Sequence, residues 1–182
     1  VSLKKSKNIW FTNNADRSYF LENNLISNQK TSIISGAGVD TNHFYFSERK
    51  KINKKFTFLF LGRIQKEKGI FEYLEASKRL KHKYLDKFQS HIVGFLNDTY
   101  SENLTIDKLL PYIKTNIVSY LGHSDDVRHY IDESDCVVVP SYREGLSTIL
   151  IEAASMGKPL IATDVPGCRE VVNNNFNGFL CK

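Results

Sequence analysis

Phe56-Thr57-Phe58-Leu59-Phe60-Leu61-Gly62-Arg63 is the stretch on which the fold turns. Its first six residues are near-continuously apolar, as a strand covered on both faces should be, and Gly62-Arg63 opens the loop that follows. Past that loop, apolar residues recur at Ile70, Tyr73, Leu74 and Leu80, which is one stripe on a helix. Further apolar runs follow at residues 91–95, 117–121, 136–139, 160–162 and 179–181. Helix candidates separate them at residues 102–114, 126–133, 147–156 and 169–172. Strands alternating with helices predict an α/β fold built on a doubly wound parallel sheet. Ligands of such sheets sit outside the carboxyl ends of the strands, near the point where strand order reverses. The loops at 62–68, 122–124 and 140–146 are therefore the places to look for chemistry.

Toward the start of the chain the pattern changes. Residues 9–12 read as a short strand, Asp16 as the cap of a helix running to Asn23, and residues 31–35 as a second short strand. Gly36-Ala37-Gly38-Val39-Asp40 is a turn-rich exit. These pieces have no core of their own and suggest the tail of another domain, with a boundary near residues 41–54. The chain starts at Val1, so an excised piece of a longer protein is expected. The basic start lacks the apolar core of a signal peptide.

Composition narrows the class. The 182 residues are 41% hydrophobic, 12% aromatic and 25% charged, the balance of a globular protein. No apolar run approaches the length of a membrane span. Cys136, Cys168 and Cys181 are odd in number and lack C-x-x-C spacing, so neither a disulfide framework nor a structural zinc site is expected. The net charge of +5 is unevenly spread: residues 1–91 hold 18 Lys and Arg against 8 Asp and Glu, residues 92–182 hold 7 against 12. The lysines are scattered without an aromatic-interleaved stripe, which argues against nucleic acid. The run Arg49-Lys50-Lys51-Ile52-Asn53-Lys54-Lys55 reads as a solvated linker, or as a segment drawn to an anionic membrane surface.

Two constellations can do chemistry. Glu144 lies in the loop before a helix starting near Ser147, and Glu152 lies within that helix, interrupting apolar neighbours. The helix start should leave backbone N–H groups free around Leu146, Ser147 and Thr148, an anion site. Glu152, about 7 Å further along the axis, could meet a vicinal diol. The same glutamates also read as a loop charge and a solvated helix residue. Arg63 and Lys68, on the loop after the first long strand, can clamp a diphosphate. They read equally as a charged turn.

The set Gly62-Arg63, Lys68-Gly69, Pro140-Ser141, Glu144-Gly145, Glu152-Ala153, Gly157-Lys158-Pro159 and Thr163-Asp164 resembles the family 4 retaining glycosyltransferases. Their glutamate pair separated by seven residues is matched by Glu144 and Glu152. The stretch on to Asp164-Val165-Pro166-Gly167-Cys168-Arg169-Glu170 is similar to the bacterial branch that builds capsule, O-antigen or lipid-linked glycans. The resemblance implies a Rossmann-like, donor-binding half of a GT-B enzyme over residues 46–182, lacking its closing helix, with residues 1–45 the truncated end of the acceptor domain. It implies that Arg63 and Lys68 hold the donor diphosphate, Glu152 the ribose, and Glu144 the donor sugar as the catalytic residue. Backbone groups of Gly145, Leu146, Ser147 and Thr148 would complete the phosphate and sugar contacts, and Gly122 and His123 would lie by the base. Ser147 departs from the family's usual Gly or Pro; its hydroxyl could cap the helix or bond the donor.

No metal and no cofactor are expected, since the cations do that work. The expected partners are a nucleotide-sugar donor, UDP first, and a glycan or polyprenyl-diphosphate-linked acceptor. The expected location is the cytoplasm, either free or peripheral at the inner face of the inner membrane. This stretch alone is expected to be inactive in transfer. The competing function is a sugar-nucleotide-binding module, or a hydrolase or epimerase relative, without transferase activity. A dinucleotide oxidoreductase is prompted by Gly36-Ala37-Gly38, but Thr41 stands at the third glycine position.

Overall fold

The computed structural model describes residues 3, 6–36, 38–48, 55–96 and 106–182. Most of the basic run at 49–55, the first residues of the helix expected over 102–114, and Ala37 lie outside the described residues. The chain opens with β1 (Ile9–Phe11), α1 (Asn14–Glu22) and β2 (Thr31–Ile33), and β1 and β2 pair in parallel as a small sheet of their own. Then come β3 (Phe56–Leu61), α2 (Ile70–Tyr84), β4 (Phe88–Val93), α3 (Ile106–Lys114) and β5 (Ser119–Tyr120). The second half adds α4 (Arg128–Glu133), β6 (Cys136–Val139), α5 (Thr148–Ser155), β7 (Leu160–Thr163) and β8 (Gly178–Cys181).

The six later strands form one parallel sheet in the order β5-β4-β3-β6-β7-β8. Counted from β3 this is the doubly wound order, and strand order reverses between β3 and β6. At that seam Phe58, Leu59 and Phe60 stand opposite Cys136, Val137 and Val138. Because alternate strand residues face opposite sides, β3 feeds two cores. Leu59 and Leu61 pack with Ile131 of α4 and with Leu150 and Ala153 of α5. Phe60 packs on the other face with Ile70, Tyr73 and Leu74 of α2 and Leu109 of α3. The near-continuous apolar reading of residues 56–61 is explained by this double burial.

Several boundaries differ from the expectation, each for a local reason. The second long strand is Phe88–Val93 and not 91–95. Its polar Gln89 is tied to Thr57 on the neighbouring strand, and Gly94 ends the ladder by donating to the Gly122 carbonyl. The cap of α1 is Asn13, whose side chain accepts from the Asp16 amide; Asp16 sits in the first turn. Helix α4 starts at Arg128 because Asp126 bonds the Arg128 amide and guanidinium in a turn before it. Residues 169–171 form turns, Val172 has no regular structure, and no helix occurs there. Gly167, at φ +86°, precedes them, and Arg169 folds back onto the Asp164 carboxylate and carbonyl. Among the described residues no helix is long and apolar enough to cross a membrane. Cys136 and Cys168 are buried free thiols, and burial pushes them up to about 12 and about 11.

Candidate active site

Two loops meet at the carboxyl end of the sheet, one leaving β3 and one leaving β6. Their approach depends on Gly69, at φ +75°: a Cβ there would stand 2.0 Å from the Pro140 carbonyl oxygen. Next to this contact the Tyr142 amide donates to the Glu67 carbonyl over 2.9 Å. The result is a largely buried ion pair, with Lys68 Nζ 2.6 Å from Glu144 Oε1. The same oxygen accepts from Ser141 Oγ at 2.7 Å. Ser141 is itself buried, its carbonyl accepting from Thr163 Oγ1. Glu144 thus spends Oε1 on both donors, and Oε2 has no partner among the described residues. Behind the loop, Gly167 packs so tightly that a Cβ would meet the Glu144 carbonyl oxygen at 2.4 Å.

A cavity of about 360 Å³ opens at the β3–β6 switch point. Its wall is built from Gly62 and Arg63 after β3, Gly94 and Phe95 after β4, His123 to Val127 after β5, and Thr148, Ile149 and Glu152 of α5. Arg63 is exposed and makes no ion pair among the described residues. The Glu152 carboxyl is half-buried and likewise without a partner among them, and burial raises its pKa. His123 stacks edge-on against Phe95 with ring centroids 5.8 Å apart, its Nε2 3.2 Å from Asp125 Oδ1.

The residues singled out in the sequence therefore divide into two groups. Arg63, His123, Thr148 and Glu152 share the cavity, whereas Lys68 and Glu144 pair with each other and do not line it. Gly122 stands off the cavity wall and accepts the Gly94 amide through its carbonyl at 2.9 Å. The expectation for the start of α5 needs one correction. The Ser147 amide is engaged, donating to the Gly167 carbonyl at 3.2 Å, and the Ser147 hydroxyl makes no capping bond. Among the four residues from 145 to 148, the amides of Gly145, Leu146 and Thr148 have no partner among the described residues. The Gly145 carbonyl accepts from Asn13 Nδ2 at 2.9 Å.

Three participants were missed in the sequence. Phe95 was read as the end of a strand, although Gly94 before it is a break signal. Ser141 passed as a motif neighbour, and Asn13 was not singled out. No group of three or more His, Cys, Asp or Glu able to hold a metal ion occurs among the described residues.

The raised Glu152 pKa has a measurable consequence. A carboxyl that holds its proton more tightly when folded leaves stability untouched well below its ordinary value of 4.5. As pH rises from that value towards the higher folded one, the unfolded chain ionises first and stability falls, and above the folded value the cost is complete. Glu152→Gln is expected to raise the melting temperature relative to wild type at pH 7, with the gain vanishing by pH 4. A difference independent of pH, followed by calorimetry from pH 4 to 8, would contradict this.

The family model described as "Glycosyl transferases group 1" matches residues 42–182. N,N'-diacetylbacillosaminyl-diphospho-undecaprenol alpha-1,3-N-acetylgalactosaminyltransferase of Campylobacter jejuni is 28% identical over 193 residues, covering 100% of this chain and 49% of its own length. Capsular polysaccharide biosynthesis glycosyltransferase CapM of Staphylococcus aureus is 30% identical over 142 residues, covering 78% of this chain and 37% of its own. Among solved structures, Anabaena Alr3699/HepE in complex with UDP and glucose superposes with a TM-score of 0.79 at 21% identity, over 97% of this chain and 49% of that one. The fold is that of GT-B glycosyltransferases. The chain spans half or less of the length of each of these proteins.

Proposed function

Because the chain belongs to the group 1 glycosyltransferases, we propose that it is the donor-binding half of a retaining enzyme using a UDP-sugar. The acceptor would be a glycan or a polyprenyl-diphosphate-linked sugar, in bacterial surface polysaccharide assembly. Its relatives include proteins of lipid-linked glycan and capsule synthesis. The reading is carried by one observation: a cation, Arg63, and a carboxyl group, Glu152, both without an ion-pair partner among the described residues, face one cavity at the switch point of the sheet.

In this reading the nucleotide lies along the cavity. Glu152 accepts from the two ribose hydroxyls, and the base reaches toward Phe95 and His123. The diphosphate lies between Arg63 and Lys68, with the Leu146 and Thr148 amides at its other side. Glu144 keeps Lys68 beside the phosphates through Oε1 and offers Oε2 to a hydroxyl of the donor sugar. When the glycosidic bond breaks, the bonding pair leaves with the diphosphate, and its charge develops where those cations and amides already point. The cations supply the neutralisation, so no metal is assigned to the step. Glu144 orients the sugar and is not assigned a covalent bond to it. In this reading the enzyme works in the cytoplasm, free or peripheral at the inner face of the inner membrane.

Ligand-detected NMR against UDP-, GDP- and TDP-sugars tests the reading. Residues 1–182 are expected to bind the UDP series and, by themselves, to transfer no sugar. Absence of binding to all three would sink the proposal. Arg63→Ala is expected to weaken UDP binding about tenfold, since a charge-assisted hydrogen bond at an exposed site is worth roughly 1.5 kcal/mol. Lys68→Ala should cost a similar amount. Calorimetry that finds both variants unchanged would remove the clamp.

A further inference from the structure

Asn13 is only 1% exposed, and it makes more bonds than a helix cap requires. Its Oδ1 accepts from the Asp16 amide at 2.7 Å, which caps α1. A serine would serve there equally well. Its Nδ2 is used differently, donating at 2.9 Å to Asp16 Oδ2 and at 2.9 Å to the Gly145 carbonyl, 132 residues away. Asp16 in turn holds Arg143, with Nη2 2.6 Å from Oδ1. Thr12 closes on the same loop, its Oγ1 only 3.2 Å from where a Gly145 Cβ would stand. Arg143 and Gly145 are therefore gripped by residues 12–16, the loop after β1 and the first turn of α1. Glu144, between them, turns to Lys68 and Ser141.

We infer that Asn13 is a positioning residue for the donor diphosphate: its bond to the Gly145 carbonyl fixes the peptide plane whose other edge carries the Leu146 N–H. The inference rests on the nucleotide-sugar reading of the cavity. The peptide is trans, so the carbonyl and the following N–H point in opposite directions. With the carbonyl tied to Asn13, the Leu146 N–H is turned away from residues 12–16. It has no backbone partner among the described residues. This donor is thus held ready for a phosphate oxygen at no cost in reorganisation when the ligand arrives. The loop between β1 and α1 then not only caps α1 but sets one wall of the donor site. Asn13 does so without touching the ligand.

The test uses residues 1–182 and the tightest of UDP, GDP and TDP from the panel above, with its matching nucleoside. Asn13→Ser keeps the α1 cap and cannot reach Gly145. The ligand-free melting temperature is expected to stay close to wild type and nucleoside affinity to be unchanged. Diphosphate affinity should fall about fivefold to tenfold, the worth of one hydrogen bond. Equal diphosphate affinity in both chains, or equal losses for diphosphate and nucleoside, would overturn the positioning role and leave the nucleotide reading intact. A wild-type chain that binds no nucleotide overturns both. If Asn13→Ser does not fold, the wild-type chain labelled with nitrogen-15 decides. The Leu146 amide resonance should move on titration with the diphosphate and stay still with the nucleoside; a Leu146 amide indifferent to the diphosphate overturns the inference.

Discussion

Glu144→Gln, assayed in the full-length enzyme, is expected to lower the rate of sugar transfer about 10²-fold while nucleotide diphosphate binding holds or tightens. The two effects separate because of how Glu144 is used. Its Oε1 is occupied by Lys68 and Ser141, so its charge is largely spent on holding the lysine. A neutral amide releases Lys68 to the phosphates, which keeps or improves affinity for UDP. The amide also replaces one of the two oxygens with a donor, so in the proposed binding mode the sugar loses its acceptor at Oε2 and sits differently against the incoming hydroxyl. A misplacement of about 1 Å can cost a factor of about 10² in rate. Calorimetry with UDP and a transfer assay with a labelled UDP-sugar measure the two halves. Parallel loss of binding and turnover would mean that Glu144 serves the phosphates and not the sugar.

Gly69→Ala is expected to destabilise the chain by about 3 kcal/mol or more. The left-handed conformation at φ +75° costs an alanine roughly 1–2 kcal/mol. The added methyl also meets the Pro140 carbonyl oxygen at 2.0 Å, which is backbone and cannot swing aside. The loops after β3 and β6 must part, and the Tyr142 to Glu67 hydrogen bond is lost with them, worth about another 1 kcal/mol. Gly122→Ala is the internal control: its φ is +83°, but a Cβ there meets nothing within 4 Å. Only the conformational cost should appear. Urea midpoints for the two variants measure the difference, and equal losses would show that the contact with Pro140 is not what Gly69 is for. The surviving fraction of Gly69→Ala should also bind UDP weakly, because the loop that carries Arg63 and Lys68 is pushed off the loop after β6 and no longer presents its cations to the cavity.

Much of the sheet was legible because burial on both faces leaves its mark in composition. Residues 56–61 and 136–139 were read with the bounds they have in the structure, both being central strands at the seam. The strand at 88–93 was shifted because its first half, Phe88-Gln89-Ser90-His91, is mixed in polarity: Gln89 is accounted for by a neighbour in space, which local periodicity cannot see. The cap of α1 was misplaced by three residues for a related reason, since Asn13 and Asp16 are both good caps and their mutual bonds decide between them. At the site, spacing within one helix or loop carried Arg63 and Glu152 to a common cavity. The Lys68–Glu144 pair spans 76 residues, and the Asn13–Gly145 bond spans 132, so neither leaves a local signal. The engagement of the Ser147 amide by Gly167 is invisible in the same way.

The grip of residues 12–16 on the loop at 143–146 has a thermodynamic counterpart. If that contact multiplies the affinity for the donor by some factor, the bound donor must strengthen the contact by the same factor, because coupling between two equilibria is reciprocal. Loading the cavity and fastening the β1–β2 unit onto the large sheet are then one free-energy change seen from two ends. A ligand that never touches the first 36 residues would still slow the exchange of their amides with solvent. An enzyme so arranged senses an empty donor site as looseness in a part of the molecule remote from it.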